Sequence, residues 1–456
     1  MKLIFDVNDK PKFGQLLVFG VQQLLAIMAA TLVVPVIVGN DMSPAAALFG
    51  AGIGTLVYVA FTKKRSPVFL GSSFAFIGSM LAAFAGGVSM ALGYLGLIIG
   101  AVLAGLVYVI IAIAVKIGGV KWIDKLMPAV VIGPTVSIIG LSLAGNAIGD
   151  LTSGGLKVDS VSVASPYVAI ICGLVTLFVV CISSVYGKKA GKLIPFIFGI
   201  LAGYGVSAIL TVIGMKTGID SLKVIDFSYF TALFTDGVKV SSFFQIPDFT
   251  FLTAIEGVKE ISASYIITLV AAYVPVAFVV FAEHIADHKN ISSIIEKDLL
   301  VDPGLSRTLL GDGIGSMAGA FFGGCPNTTY GESVGCVAIT KNASVYTIIT
   351  AAVMAIVISF ISPFVAFVNS IPSCVMGGVC VALYGFIAVS GFKMVQKVDL
   401  EDNRNLFVVS AIFIAGIGGL SIKFGNVEIT TIACALILGI VLNIILSRKS
   451  GEEVTE

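Results

Sequence analysis

The sequence predicts an all-α polytopic membrane protein, and three observations carry that prediction. Of its 456 residues, 57% are apolar and only 12% charged, with a mean hydropathy of +1.07. Soluble domains carry roughly 25% charged and 45–50% apolar residues. Apolar runs recur from Phe13 to Ser447, each near the ~20 residues that a bilayer-crossing helix needs. Two of these runs, the third and the tenth, are interrupted by small and polar residues in matching ways. The composition excludes a water-soluble enzyme of this length, which would need about twice the charge. It also excludes disorder, whose signature is low hydrophobicity. With 27 basic against 26 acidic residues and a net charge of +1, no basic footprint points to nucleic acid.

In order, the spans read 13–39, 43–62, 66–86, 89–115, 125–148, 166–186, 191–215, 262–283, 308–324, 328–341, 345–370, 372–395, 404–421 and 429–447, fourteen in all. Met1–Lys12 is short and of mixed charge, so the first span is expected to serve as the insertion signal. The third span contains Gly71-Ser72-Ser73-Phe74-Ala75-Phe76, and the tenth begins Pro326-Asn327-Thr328-Thr329-Tyr330-Gly331-Glu332. Both cores read hydroxyl, hydroxyl, aromatic, small, and each is third in a set of seven. Four degenerate positions alone could match by chance in a chain rich in Gly and Ser; the shared ordinal position argues against it. Seven spans per half is odd, so the halves are expected to be inverted relative to each other. A matched pair of interrupted hydrophobic segments is a pointer to a transporter's binding site.

Charge sets the expected orientation. With a cytoplasmic N-terminus, the inner loops collect 21 of the 27 basic residues, from Lys2, Lys10 and Lys12 through Lys63, Lys64, Arg65, Lys121, Lys125, Lys188, Lys189 and Lys192 to Lys393, Lys397, Arg448 and Lys449. Only Lys157, Lys216, Lys223, Lys239, Lys259 and Lys423 fall outside. Both termini are therefore expected in the cytoplasm. The longest loop, 216–261, carries Phe227, Tyr229, Phe230, Phe243 and Phe244 and reads either as a packed cap or as a functional element. Gly451–Glu456 reads as a solvated tail. The seven cysteines lie in or beside apolar runs without CxxC spacing and read as packing residues.

Ionisable residues inside a membrane are functional candidates, because burying them is costly. The eighth span ends Phe281-Ala282-Glu283-His284-Ile285-Ala286-Asp287-His288, which holds both histidines of the chain. On a helix, Glu283 and Asp287 share one face, and His284 and His288 share a neighbouring one. Asp312 falls in the ninth span and Glu332 in the tenth. The cluster admits three readings. An H-x-x-x-H pair can hold zinc, as an intramembrane hydrolase would use it, but the Glu after the first His is missing and the chain has no third His. A helix end entering the polar loop 289–307 suits the histidines better than Glu283. A carboxylate at Glu283 could exchange protons and accept a hydrogen bond from a substrate N–H. The glycine patterns Gly50-Ala51-Gly52-Ile53-Gly54 and Gly311-Asp312-Gly313-Ile314-Gly315 lack the strand–turn–helix setting of a dinucleotide loop. They read as small residues that let helices pack closely.

These motifs, together with Asp302-Pro303-Gly304-Leu305 and Val375-Met376-Gly377-Gly378-Val379, resemble the nucleobase–ascorbate transporter family, most nearly its bacterial uracil-carrying branch. The likeness runs from Gln22 to about Asn443. The family signature E/Q-N-x-G-x-x-x-x-T-R stands here as Glu332 to Lys341. The resemblance implies fourteen spans in a 7+7 inverted repeat, with a short strand in each of segments 3 and 10. It implies a core domain from 13–115 and 262–370, a gate domain from 125–215 and 372–447, and an extracellular loop over 216–261. Substrate would be held by Glu283, Glu332 and the backbone N–H groups of Phe74 and Gly331, with Ala30, Tyr330 and Tyr384 lining the pocket. Glu283, Asp287, Asp312 and Gln23 would form the proton-coupling network. The implied activity is import of uracil with protons by elevator movement in the cytoplasmic membrane, as a homodimer through the gate; no cofactor or metal is implied. A xanthine or broader purine carrier is the alternative within the family, and an intramembrane zinc hydrolase the alternative outside it. Ser333 replaces the family Asn, Lys341 its Arg, and Gln23 the usual first-span His. Asp287 stands where uracil carriers have His, whereas Glu332 opens the signature as uracil carriers do.

Overall fold

The computed structural model describes residues 3–119, 128–158, 161–235, 237–424 and 427–447. Lys2, Lys121, Lys125, Arg448 and Lys449 of the expected inner set, the start of the span 125–148, and the tail Gly451–Glu456 lie outside the described residues. The chain is mostly helical. Among the described residues, eight helices are long and apolar enough to cross a bilayer, and the strands are two or three residues each. The chain is a multi-pass membrane protein.

The helices are α1 (Phe13–Val38), α2 (Pro44–Phe61), α3 (Ile77–Ala83), α4 (Met90–Gly118), α5 (Ala129–Ser142), α6 (Ala144–Leu151), α7 (Pro166–Tyr186), α8 (Pro195–Thr217), α9 (Ala263–Ile295), α10 (Leu305–Gly323), α11 (Gly331–Thr340), α12 (Val345–Ile358), α13 (Ser362–Ser370), α14 (Ser373–Val395), α15 (Asn403–Ile417) and α16 (Thr431–Ser447). Serine caps start several of them. Ser43 Oγ accepts from the Ala46 N–H, Ser89 Oγ from Leu92 and Ser262 Oγ from Tyr265, each satisfying a donor that has no partner inside the helix.

Two differences from the predicted spans matter. The eighth span does not end at Glu283: α9 continues to Ile295, so the 283–288 cluster lies within a helix rather than at its end. Hydropathy fell with the charges, whereas the backbone hydrogen bonding did not. The expected span 345–370 is two helices, broken at Ser359–Ile361.

The interrupted segments meet at the centre. Strand β1 (Leu70–Ser72) pairs antiparallel with a second strand, Asn327–Thr329, with Gly71 opposite Thr328. A 3-10 turn, Phe74–Phe76, leads from β1 into α3, and the second strand leads directly into α11. Two isolated three-residue strands in a membrane protein need partners for their outer edges, because lipid offers none. Those partners are side chains. Thr55 Oγ1 accepts from the Leu70 N–H (2.9 Å) and donates to the Leu70 carbonyl (3.2 Å). Ser333 Oγ accepts from the Phe69 N–H (3.0 Å), Tyr330 donates to the Ser72 carbonyl (2.6 Å), and Asn327 Nδ2 donates to Gly50 (3.2 Å).

Packing divides the helices into two sets. One comprises α1–α4 with α9–α13, and the other α5–α8 with α14–α16. They meet where α9 runs beside α16 and where α1 meets α8. In the first set, α2 and α10 touch backbone to backbone. A Cβ on Gly54 would lie 2.7 Å from the Gly315 carbonyl oxygen, and one on Gly315 equally close to that of Gly54. The glycine patterns are thus close-packing surfaces on helices. Loop 216–261 is folded into short helical turns. Its anchors are Phe249, which meets Phe49 at a tilt with centroids 4.8 Å apart, and Phe251, which stacks on Phe321 at 4.8 Å; Phe243 and Phe244, apolar in the sequence, stay exposed. None of the seven cysteines forms a disulfide, and all but Cys181 are buried.

Candidate functional site

The strand pair presents two strand-to-helix junctions to one cavity of about 440 Å³, a size ordinary for small-molecule sites. Phe74 comes from the first junction and Tyr330, Gly331 and Glu332 from the second; Glu283, Ala286 and Asp287 come from α9. The second helix set supplies the opposite wall through Val136 and the α14 residues Leu383, Phe386, Ile387 and Ser390. The cavity therefore lies between the two sets.

The backbone explains why these residues converge. α11 begins at Gly331, and the first N–H groups of a helix have no partner within it, so Gly331 and Glu332 bring both a donor edge and a carboxylate to one spot. A Cβ on Gly331 would reach to 3.8 Å from Asp287 Oδ1, so the strand end and α9 almost touch there. Helical spacing puts Glu283 and Asp287 on the cavity face of α9 and continues it to Asn290, which also lines the cavity. Asp287 is held in place: its Oδ2 accepts from Thr329 Oγ1 at 2.9 Å. Extending the same periodicity by one turn would have found Asn290. Thr329 is quoted in the motif, but its role needs the strand pairing to appear.

The two histidines face away, fully buried, their rings stacked at 4.0 Å. His284 Nδ1 meets Asp312 Oδ2 at 2.7 Å and Nε2 meets Thr308 Oγ1 at 2.9 Å. His288 Nδ1 donates to the His284 carbonyl at 2.7 Å, and Nε2 meets the Tyr58 hydroxyl at 2.6 Å. All four ring nitrogens are thus engaged within the protein, which leaves the zinc reading without its ligands. The reading of these histidines as a solvated helix end is corrected by the same contacts.

The remaining predicted residues sit around the cavity rather than on it. Asp312 is buried behind α9, tied to His284. Gln23 on α1 donates to Ser333 Oγ at 2.5 Å, directly behind Glu332, so Ser333 fills the place of the family Asn with a short bridge. Tyr384 is buried and meets Phe74 edge to face at 6.1 Å between centroids. Ala30 is buried in α1; neither it nor Tyr384 is among the residues that line the cavity. The rings of Phe74 and Tyr330 can meet a flat apolar face, the carboxylates can accept N–H donors, and the helix start can donate to carbonyl oxygens.

Comparison with known proteins sets this geometry in context. A model of a permease family, Xan_ur_permease, matches residues 14–425. The chain is 38% identical to the uracil permease of Bacillus caldolyticus over 98% of this chain and 95% of that one. It is 34% identical to the uracil permease of Escherichia coli K12, over 96% and 93%. It is 33% identical to a putative pyrimidine permease of the same strain, over 97% and 92%. Among solved structures, the transmembrane domain of the cyanobacterial bicarbonate transporter BicA superposes with a TM-score of 0.61 at 14% identity, covering 96% of this chain and 99% of that one. The murine anion transporter Slc26a9, in its inward-facing state, superposes with a TM-score of 0.65 at 12% identity, covering 97% and 70%. At those identities the likeness shows the fold.

Proposed function

This chain belongs to the Xan_ur_permease family of permeases, the nucleobase–ascorbate transporters, and from that premise we propose that it imports uracil with protons across the cytoplasmic membrane. The observation that carries the proposal is the meeting of Glu283 and Glu332 in one cavity beside the N-terminus of α11. Uracil presents N–H donors flanked by carbonyl acceptors. Glu283 and Glu332 accept from the N–H groups, while the backbone N–H groups of Phe74 and Gly331 donate to the carbonyls. A base with a different donor pattern would leave these buried groups unpaired, which is what gives such a site its discrimination. Glu283 carries the proton: protonation removes a charge that would otherwise oppose passage of the loaded site through a medium of low dielectric. Asp287 and Asp312 with His284 support that proton, and Gln23 fixes the helix that bears Glu332.

Fourteen spans in two inverted halves, with the first helix set as moving core and the second as gate and dimer contact, are the architecture we assign to this transport. The cavity extends to Lys192, Ile339 and Met394, at the end that the basic loops put in the cytoplasm, so the conformation is read as inward-facing with both termini inside. A purine carrier is a second reading, favoured by Asp287: a third carboxylate in the cavity offers an acceptor to a base richer in donors. The test is uptake of labelled uracil into proteoliposomes under an imposed pH gradient, with xanthine and sodium arms. Accumulation driven by acid outside, unaffected by sodium and poorly competed by xanthine, is expected. No uracil uptake would overturn the reading, and stronger uptake of xanthine would replace it with the purine one.

A further inference from the structure

A further contact between the two helix sets borders the cavity. Between α7 and α8 the chain makes one short helical turn, Lys189–Leu193, which packs against α11 as well as against its own neighbours. Leu193 from this turn, Ala26 from α1 and Cys336 from α11 form a buried apolar cluster separate from the main core, with Ile194 packed beside it. Its members are 8%, 7% and 3% exposed, although all three border the cavity. The turn is held in place from its own side. A Cβ at Gly187 would collide with the Ser183 carbonyl oxygen and come within 2.8 Å of Gly191 Cα, so the chain folds back tightly on the end of α7. Cys336 stands one helical turn beyond Glu332 on the same face of α11, and both border the cavity. Any displacement of α11 relative to α7 and α8 must therefore shear this contact. The main core spans both sets; this cluster is small, peripheral and adjacent to the binding residues, as a contact made and broken each cycle has to be.

We propose that Leu193 is a latch: seated between Ala26 and Cys336, it holds α11 against the second helix set in the conformation described here, and transport requires it to withdraw. The proposal rests on the reading that the two sets move relative to each other during uptake. The chain supplies half of its own test, because Cys336 is already in the contact. In a Cys181→Ser background, Leu193→Cys is treated with a short bifunctional methanethiosulfonate, and the linked 193–336 peptide is identified by mass spectrometry. We expect labelled-uracil uptake to fall by about tenfold or more, to return with dithiothreitol, and binding of labelled uracil in detergent to persist while the link is in place. The same reagent should leave Leu193→Cys with Cys336→Ser unaffected.

A linked protein that still transports, failure to form the link, or loss of binding together with transport would each overturn the latch. The unlinked Cys181→Ser parent reports separately on the functional reading, since its failure to take up uracil would count against that reading alone. For that case Leu193→Ser gives an independent measure. Maleimide labelling of Cys336 should quicken several-fold when Leu193 no longer covers it, and an unchanged rate would sink the proposal.

Discussion

Glu283 sits where a carboxylate has the greatest leverage, on the one face of α9 that meets the cavity. Glu283→Gln keeps the shape and removes the charge, so uptake in proteoliposomes should fall by about a hundredfold, in the usual range for losing a group that moves a proton, while the protein still folds. Undiminished uptake would remove Glu283 from the coupling. Thr329 acts one step back, through Asp287. Thr329→Val deletes one hydrogen bond, worth about 0.5–1.5 kcal/mol, so KM for uracil should rise roughly two- to tenfold with kcat little changed. Asp312 is a different case, because its partner His284 is wholly buried. Asp312→Ala leaves His284 Nδ1 without its partner, while Nε2 keeps Thr308, and should lower folded stability by about 1–3 kcal/mol, read as a lower melting temperature in detergent; an unchanged melting point would argue that the pair is not formed. Composition and spacing alone singled out Glu283, Asp287 and Glu332, because charge is scarce enough in this chain to be conspicuous. Tyr58 and Thr308 are unremarkable in the sequence, since hydroxyl residues are common in membrane helices and only their partners distinguish them; Thr329 stands in the interrupted motif, but its bond to Asp287 does not show there.

At the scale of elements, the site depends on two short strands that could not exist alone. Their edges are satisfied by Thr55, Ser333, Tyr330 and Asn327, and their seat is the close contact of α2 with α10. A Cβ on Gly315 would meet the Gly54 carbonyl oxygen at 2.7 Å and Leu70 at 2.9 Å, so Gly315→Val pushes on helix and strand together. Overpacking of this kind costs about 1–3 kcal/mol or more. The yield of monodisperse carrier should drop, whereas Gly14→Ala, with nothing within 4 Å of its Cβ, should be tolerated. Equal yields for the two would show that the α2–α10 contact is not tight. Interruption of the third and tenth segments was legible from their Gly, Ser, Thr and Pro content. Their pairing was not, because register joins residues more than 250 positions apart. The true length of α9 was hidden for another reason: hydropathy reports which residues suit lipid, and a helix can leave the apolar layer without ending.

For the whole molecule, the proposed proton-coupled import fixes a sign. Acid outside loads the carboxylate before the site turns inward, so an inward proton gradient should raise initial uptake, and collapse of the gradient with a protonophore should return it to the equilibrative level. Uptake insensitive to the gradient would exclude proton coupling. The sequence by itself determined that this is a polytopic helical membrane protein, which loops carry the basic residues, and which few carboxylates must be explained, since each follows from the cost of placing charge in lipid. Only the tertiary structure decided that the two junctions meet, that Asp287 is held by Thr329 while the histidines turn away, and that a turn before α8 closes on α11. Those outcomes depend on distances between segments remote in the chain, and hydropathy is blind to distance.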